Sequence, residues 1–72
     1  MYERIRNLRE DKDLSQQELA AYLHCSQVCY SHYETGKRDI PTDVLIALAD
    51  FHNTSVDYLL GRTPQKQPYP KK

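Results

Sequence analysis

The helical pattern of this chain breaks at His24-Cys25-Ser26 and resumes at once, and that short break constrains the fold more than any other feature. Ahead of it, Ser15-Gln16-Gln17-Glu18 has the form of a capping box. In such a box the serine hydroxyl accepts from the glutamate amide, and the glutamate carboxylate accepts from the serine amide. A helix therefore starts just after Ser15, with Leu19, Ala20 and Leu23 on its inner face. Beyond the break, Ser26 is a second N-cap. Gln27 to Glu34 continue as a helix with Tyr30 and Tyr33 on one face, and Gly36 suits the left-handed C-cap that ends it. About three residues are too few for the second helix to run back antiparallel to the first; they suit a steep crossing. Ala20 must then be small, because the next helix passes close over it, and Cys25 is expected to fill a buried position in the turn.

The flanking segments read as helices too. Tyr2, Ile5 and Leu8 recur at helical spacing and predict a first helix over about 2–12, stopped by Asp13. Arg38 to Thr42 form a loop, with Pro41 before or at the first turn of the next helix. Val44, Leu45, Leu48, Ala49 and Phe51 make a strongly apolar helix over about 42–52. After a turn at His52-Asn53-Thr54, Ser55 caps a short helix from Val56 to Leu60, ended by Gly61. The expected fold is all-α, a compact five-helix domain over 1–61. From Arg62 onward Pro, Gln and Lys replace apolar periodicity, so 62–72 is predicted to be a disordered polar tail. Its lysines Lys66, Lys71 and Lys72 are read as solvated.

At 72 residues the chain has room for one domain. A domain this small buries only about 60% of its unfolded surface, which leaves no depth for a catalytic cleft. No carboxylate pair, nucleophile with base, or phosphate loop stands at useful spacing, so no enzyme is expected. There is no signal-peptide core and no membrane-length apolar run, which predicts a cytoplasmic location with reduced cysteines. A Cys25–Cys29 disulfide would close a tiny loop at a helix, where the geometry is poor. His24, Cys25, Cys29 and His32 invite a zinc reading, but a closed site needs all its ligands to converge. Cys25 is wanted in the core, so neither metal nor cofactor is expected.

Several separated motifs share one resemblance. Leu14-Ser15-Gln16-Gln17-Glu18-Leu19-Ala20, then Ser26, then Tyr33-Glu34-Thr35-Gly36-Lys37-Arg38, Pro41 and Val56-Asp57-Tyr58-Leu59-Leu60-Gly61 stand at the spacings of one family. It is the lambda repressor and Cro family of helix-turn-helix regulators, often labelled XRE-like. The resemblance covers about residues 2–61. It implies a lambda-repressor-like domain whose second and third helices form the helix-turn-helix. It implies base reading in the major groove of double-stranded DNA by Gln27, Val28 and His32. Gln can bond adenine bidentately and an apolar side chain can meet a thymine methyl. Backbone contact is implied for Gln16, Gln17, Ser26, Ser31, Lys37 and Arg38, with Gln16 also bracing a base-reading glutamine. Arg9 and Glu34 resemble a structural ion pair, and Val56, Tyr58 and Leu59 a dimer contact. Two positions depart from the family: His24 stands where Gly is usual, and Tyr30 where Ile or Val is usual. A larger ring at Tyr30 is expected to tilt its helix or push its hydroxyl to the surface.

The expected function is therefore a sequence-specific DNA-binding regulator, a repressor acting as a homodimer on an inverted-repeat operator, with no small-molecule substrate and no membrane partner. The alternative is a protein-interaction module, or an antitoxin or controller component, on the same fold. Zero net charge, from 10 basic and 10 acidic residues, favours the alternative. The uneven placement of the charges, with Lys37 and Arg38 beside the third helix, favours DNA.

Overall fold

The computed structural model describes residues 2–68. In chain order the helices are α1 (Glu3–Asp11), α2 (Gln16–Tyr22), α3 (Gln27–Thr35), α4 (Thr42–Phe51) and α5 (Val56–Leu59), and no strand occurs among the described residues. The all-α, five-helix order is the expected one, with ends within a residue or so of the predicted ones.

Hydroxyl caps start three of these helices. The Ser15 hydroxyl accepts from the Glu18 amide at 3.1 Å, and the Glu18 carboxylate accepts from the Ser15 amide at 2.9 Å. Ser26 and Ser55 accept from the Cys29 and Tyr58 amides, each at 3.0 Å. Each cap satisfies a helix-start donor that would otherwise have no partner in the helix.

The ends of α1, α2, α4 and α5 share one construction, a left-handed residue whose amide and the following amide both turn back onto the helix's last carbonyls. After α1 the left-handed residue is Asp13, with Asp13 N–H to the Glu10 carbonyl and Leu14 N–H to that of Arg9. After α2 it is His24, with bonds to Ala21 at 3.2 Å and from Cys25 to Ala20 at 3.0 Å. Asn53 and Gly61 repeat the pattern after α4 and α5. The break that reads as a turn from sequence is thus a hydrogen-bonded reversal, not a slack loop.

Ile5 and Leu8 of α1, Leu19 and Ala20 of α2, Tyr30 and Tyr33 of α3, Leu48 and Ala49 of α4, and Leu59 of α5 form one core. Burying each large apolar side chain contributes roughly 1.5–3 kcal/mol. The tightest helix pair is α2 against α3; α1 packs on α3 and on α5, and α5 packs on α4.

Three expectations change. Cys25 packs against the core but is only half-buried, its amide bonded back to the Ala20 carbonyl in the reversal. Tyr30 does not push its hydroxyl to the surface: the ring is fully buried and the phenol oxygen lies inside without a well-formed hydrogen bond. Residues 62–68 are not free of the domain. Arg4 donates to the Thr63 carbonyl and the Thr54 hydroxyl to the Lys66 carbonyl, so backbone polarity ties down a segment that carries no apolar pattern. The rest of the predicted tail, including Lys71 and Lys72, lies outside the described residues.

Candidate nucleic-acid interface

The angle between α2 and α3 is held from beneath by a buried charge. Glu34, on α3, is 4% exposed. Arg9, on α1, grips its carboxylate with two bonds, Nε to Oε2 at 2.6 Å and a terminal nitrogen to Oε1 at 3.2 Å. The same guanidinium donates to the Leu14 carbonyl at 2.8 Å, which fixes the link from α1 to α2. Gln16, at the start of α2, donates its amide to Glu34 Oε1 at 3.1 Å. One carboxylate therefore joins three helices. Burial works to raise the Glu34 pKa, but the hydrogen bonds from Arg9, then the nearby Tyr30 phenol and the bond from Gln16, outweigh it and hold the group below its ordinary value. Tyr30 faces the same carboxylate. Burial, and then the neighbouring Glu34, push its phenol far above the ordinary value, so it stays protonated.

This network leaves the opposite side of α3 to solvent. Gln27 is exposed at the first helical position, and Val28 follows it at 64% exposure, the most exposed large apolar side chain described. An apolar side chain held out on a rigid helix has no role in this core. Ser31 and His32 are half-buried on the next turn. Gln17 and Ser26 are exposed, the Ser26 oxygen already accepting from Cys29 while its hydrogen remains free to donate. Cys29, expected on this open face, is half-buried and packs against the core instead.

Past Gly36, which ends α3 with φ +82°, the chain doubles back. The Arg38 amide donates to the His32 carbonyl at 3.3 Å, and the Arg38 guanidinium donates to Cys29 Sγ at 3.3 Å. Lys37 and Arg38 are thereby set at the C-terminal end of α3, both exposed. Of the acidic groups between Gln16 and Arg38, Glu34 is neutralised by Arg9 and Glu18 is engaged in its capping box. Lys37 and Arg38 thus present two exposed cations at the end of α3, beside the exposed Asp39, in a chain that is neutral as a whole.

Sequence reasoning did not find the Gln16–Glu34 bond, because the partners are 18 residues apart and neither residue type announces the other. The Arg38–Cys29 contact was equally hidden. Of the three residues read as a dimer contact, Val56 and Tyr58 are half-buried and Tyr58 lies under the Arg4 guanidinium, 4.2 Å from its ring centre. Leu59 is 1% exposed and is committed to the core, so it offers no surface to a partner. The helical period that puts Val56 at the rim turns Leu59 inward.

The sequence profile of one helix-turn-helix family matches residues 5–59, all five helices but the first two residues of α1. This chain belongs to the helix-turn-helix family. Among curated proteins of Bacillus subtilis, this helix-turn-helix chain is 39% identical to the HTH-type transcriptional regulator AnsR over 69 residues, covering 96% of the chain and 60% of AnsR. It is 37% identical to the HTH-type transcriptional regulator ImmR over 59 residues, covering 82% of the chain and 46% of ImmR. The chain thus spans about half the length of the curated relatives it matches. Among solved structures it superposes on the P22 c2 repressor, crystallised in complex with a synthetic operator, with a TM-score of 0.76 and 31% identity, over 85% of this chain and 92% of that one. The fold of this helix-turn-helix chain is therefore lambda-repressor-like.

Proposed function

We propose that this chain is a cytoplasmic, sequence-specific DNA-binding transcriptional regulator that represses from an inverted-repeat operator as a homodimer. The observation that carries the reading is the first turn of α3: Gln27 and Val28 stand exposed on a helix whose other face is locked to α1 and α2 through Glu34. A single helix is what the major groove admits. Gln27 pairs with an adenine edge, Val28 packs on a thymine methyl, and His32 donates to a guanine acceptor or a phosphate. Gln16, Gln17, Ser26, Ser31, Lys37 and Arg38 take backbone contacts, which set register and not sequence. Gln16, braced by Glu34, stands at the start of α2 where a helix amide end also favours a phosphate.

Two protomers then place α3 in successive grooves about 34–36 Å apart. The α5 rim formed by Val56 and Tyr58 is the proposed contact between them. The likeness to a repressor crystallised on operator DNA and to HTH-type regulators supports this reading. The proposed activity is binding, with no catalytic step. No described helix is long and apolar enough to cross a membrane.

Selection of bound sequences from a random duplex library at moderate salt tests the proposal. An enriched inverted repeat is expected. Absence of any enriched sequence would point to a protein partner for the same face. On the selected site, Gln27→Ala is expected to lose about 1–3 kcal/mol of affinity with the fold intact. Equal binding by mutant and parent would remove Gln27 from the reading set.

A further inference from the structure

Arg38 is tied to α3 at two points. Its amide donates to the His32 carbonyl at 3.3 Å. Its guanidinium reaches one helical turn nearer the start of α3 and donates to Cys29 Sγ, also at 3.3 Å, across nine residues of sequence. Cys29 is a firm anchor: its amide is held by the Ser26 hydroxyl at 3.0 Å, and its side chain packs against the core. Gln27 and Val28, the proposed base readers, are the two residues just before it. A cation that enters the sequence after α3 has ended is thus carried back to the turn that carries the readers.

The kind of acceptor matters as much as its place. Asp39 stands next to Arg38 in the sequence, exposed, and its carboxylate could answer the guanidinium charge. The hydrogen bond goes to sulfur instead. A thiol is a weak, uncharged acceptor. It takes one of the five guanidinium N–H donors and leaves the positive charge and the other four donors to a further anion. Two of those are enough for the paired bond that arginine makes with a phosphate. The contact is also felt at the sulfur. The Tyr33 hydroxyl, one turn on, and then Arg38 draw the Cys29 thiol below its ordinary value against the effect of its burial.

We propose that Cys29 is a positioning residue for DNA binding: it holds the Arg38 guanidinium beside the base-reading turn of α3, set for a backbone phosphate. This deepens the function proposed above and rests on it. A loose arginine gives up its side-chain freedom when it takes a phosphate, and binding is weaker by that amount. Here much of that freedom is already lost in the folded chain, so the phosphate contact keeps more of its strength.

The test is a double-mutant cycle on the library-selected duplex. Cys29→Ala is expected to weaken binding about two- to tenfold, the range for ordering one long side chain. The factor is expected to be similar on unrelated duplexes, because a phosphate carries no sequence. Cys29→Ser keeps an acceptor and is expected to restore most of the loss. In an Arg38→Ala background, Cys29→Ala is expected to change nothing further. Additive losses, or a loss that serine does not restore, would assign Cys29 to packing alone and overturn the proposal. A second arm leaves the core-packed cysteine in place, so it stands even if Cys29→Ala fails to fold. It follows the pH dependence of Cys29 alkylation by iodoacetamide, read by peptide mapping, without DNA. Arg38→Ala is expected to move the midpoint to higher pH; an unmoved midpoint would overturn the contact. If the parent chain selects no duplex, the DNA reading fails and takes the positioning role with it, while the alkylation arm still decides the contact. If the parent selects a duplex and Cys29→Ala binds it as tightly, the positioning role fails alone.

Discussion

Asp13, His24 and Asn53 each take a left-handed backbone, with φ of +55°, +58° and +52°, at a turn that ends a helix. Left-handed backbone costs most L residues roughly 1–2 kcal/mol, and glycine, which escapes that cost, loses more freedom on folding. Asp, His and Asn are the side chains most often found there, which is why the chain tolerates them. His24→Gly is accordingly expected to raise stability by about 0.5–1 kcal/mol, seen as a higher urea midpoint with an unchanged slope. A lower midpoint would mean that the imidazole makes a stabilising contact worth more than the strain.

His52 poses a different problem at the same scale. It is 4% exposed and neither ring nitrogen has a hydrogen-bond partner among the described residues. Burial, reinforced by the charges of Lys12 and Lys66, pushes its pKa down to about 4. The unfolded chain binds a proton on this histidine near pH 6.5, and the folded chain refuses it until about pH 4. Protons therefore favour the unfolded state between those values. Stability from this source is fully present above about pH 6.5 and falls as the pH drops toward 4, by on the order of 3 kcal/mol at most. Denaturation curves across that window are expected to flatten in His52→Leu; an unchanged slope would assign the pH dependence to other groups.

At the scale of elements, three helices depend on one carboxylate. Removing one partner of a buried pair costs about 3–5 kcal/mol, because the other charge is left unanswered. Glu34→Gln is expected at the low end of that range, since the amide can still accept from Arg9 and Gln16. Arg9→Met is expected to cost as much, and the double substitution less than the sum of the two. Strict additivity in that cycle would show that the pair does not couple α1 to α3. The pairing of α1 and α5 is built differently, from Arg4 lying over the Tyr58 ring and donating to the Tyr58 carbonyl at 3.0 Å.

For the whole molecule, zero net charge gives no long-range attraction to a polyanion. Any electrostatic contribution has to come from local placement, and here that means Lys37 and Arg38 held at the end of α3. Lys37→Ala is expected to weaken DNA binding by a similar factor on every sequence and to lower the slope of log affinity against log salt by about one contact. A loss confined to the selected operator would instead make Lys37 a base reader.

The local pattern determined most of the elements. Serine caps, apolar spacing and the turn residues decide where each helix begins and ends within a few residues, because capping and helical periodicity are satisfied by neighbours in the chain. The resemblance also pointed to Arg9 and Glu34, but sequence alone could not show that Gln16 and Tyr30 converge on the same carboxylate. The docking of the tail carbonyls on Arg4 and Thr54, the inward turn of Leu59, the unpaired imidazole of His52 and the meeting of Arg38 with Cys29 were likewise decided only by the tertiary structure. Each depends on which side chains distant segments bring to one place, and no short-range rule of spacing carries that information.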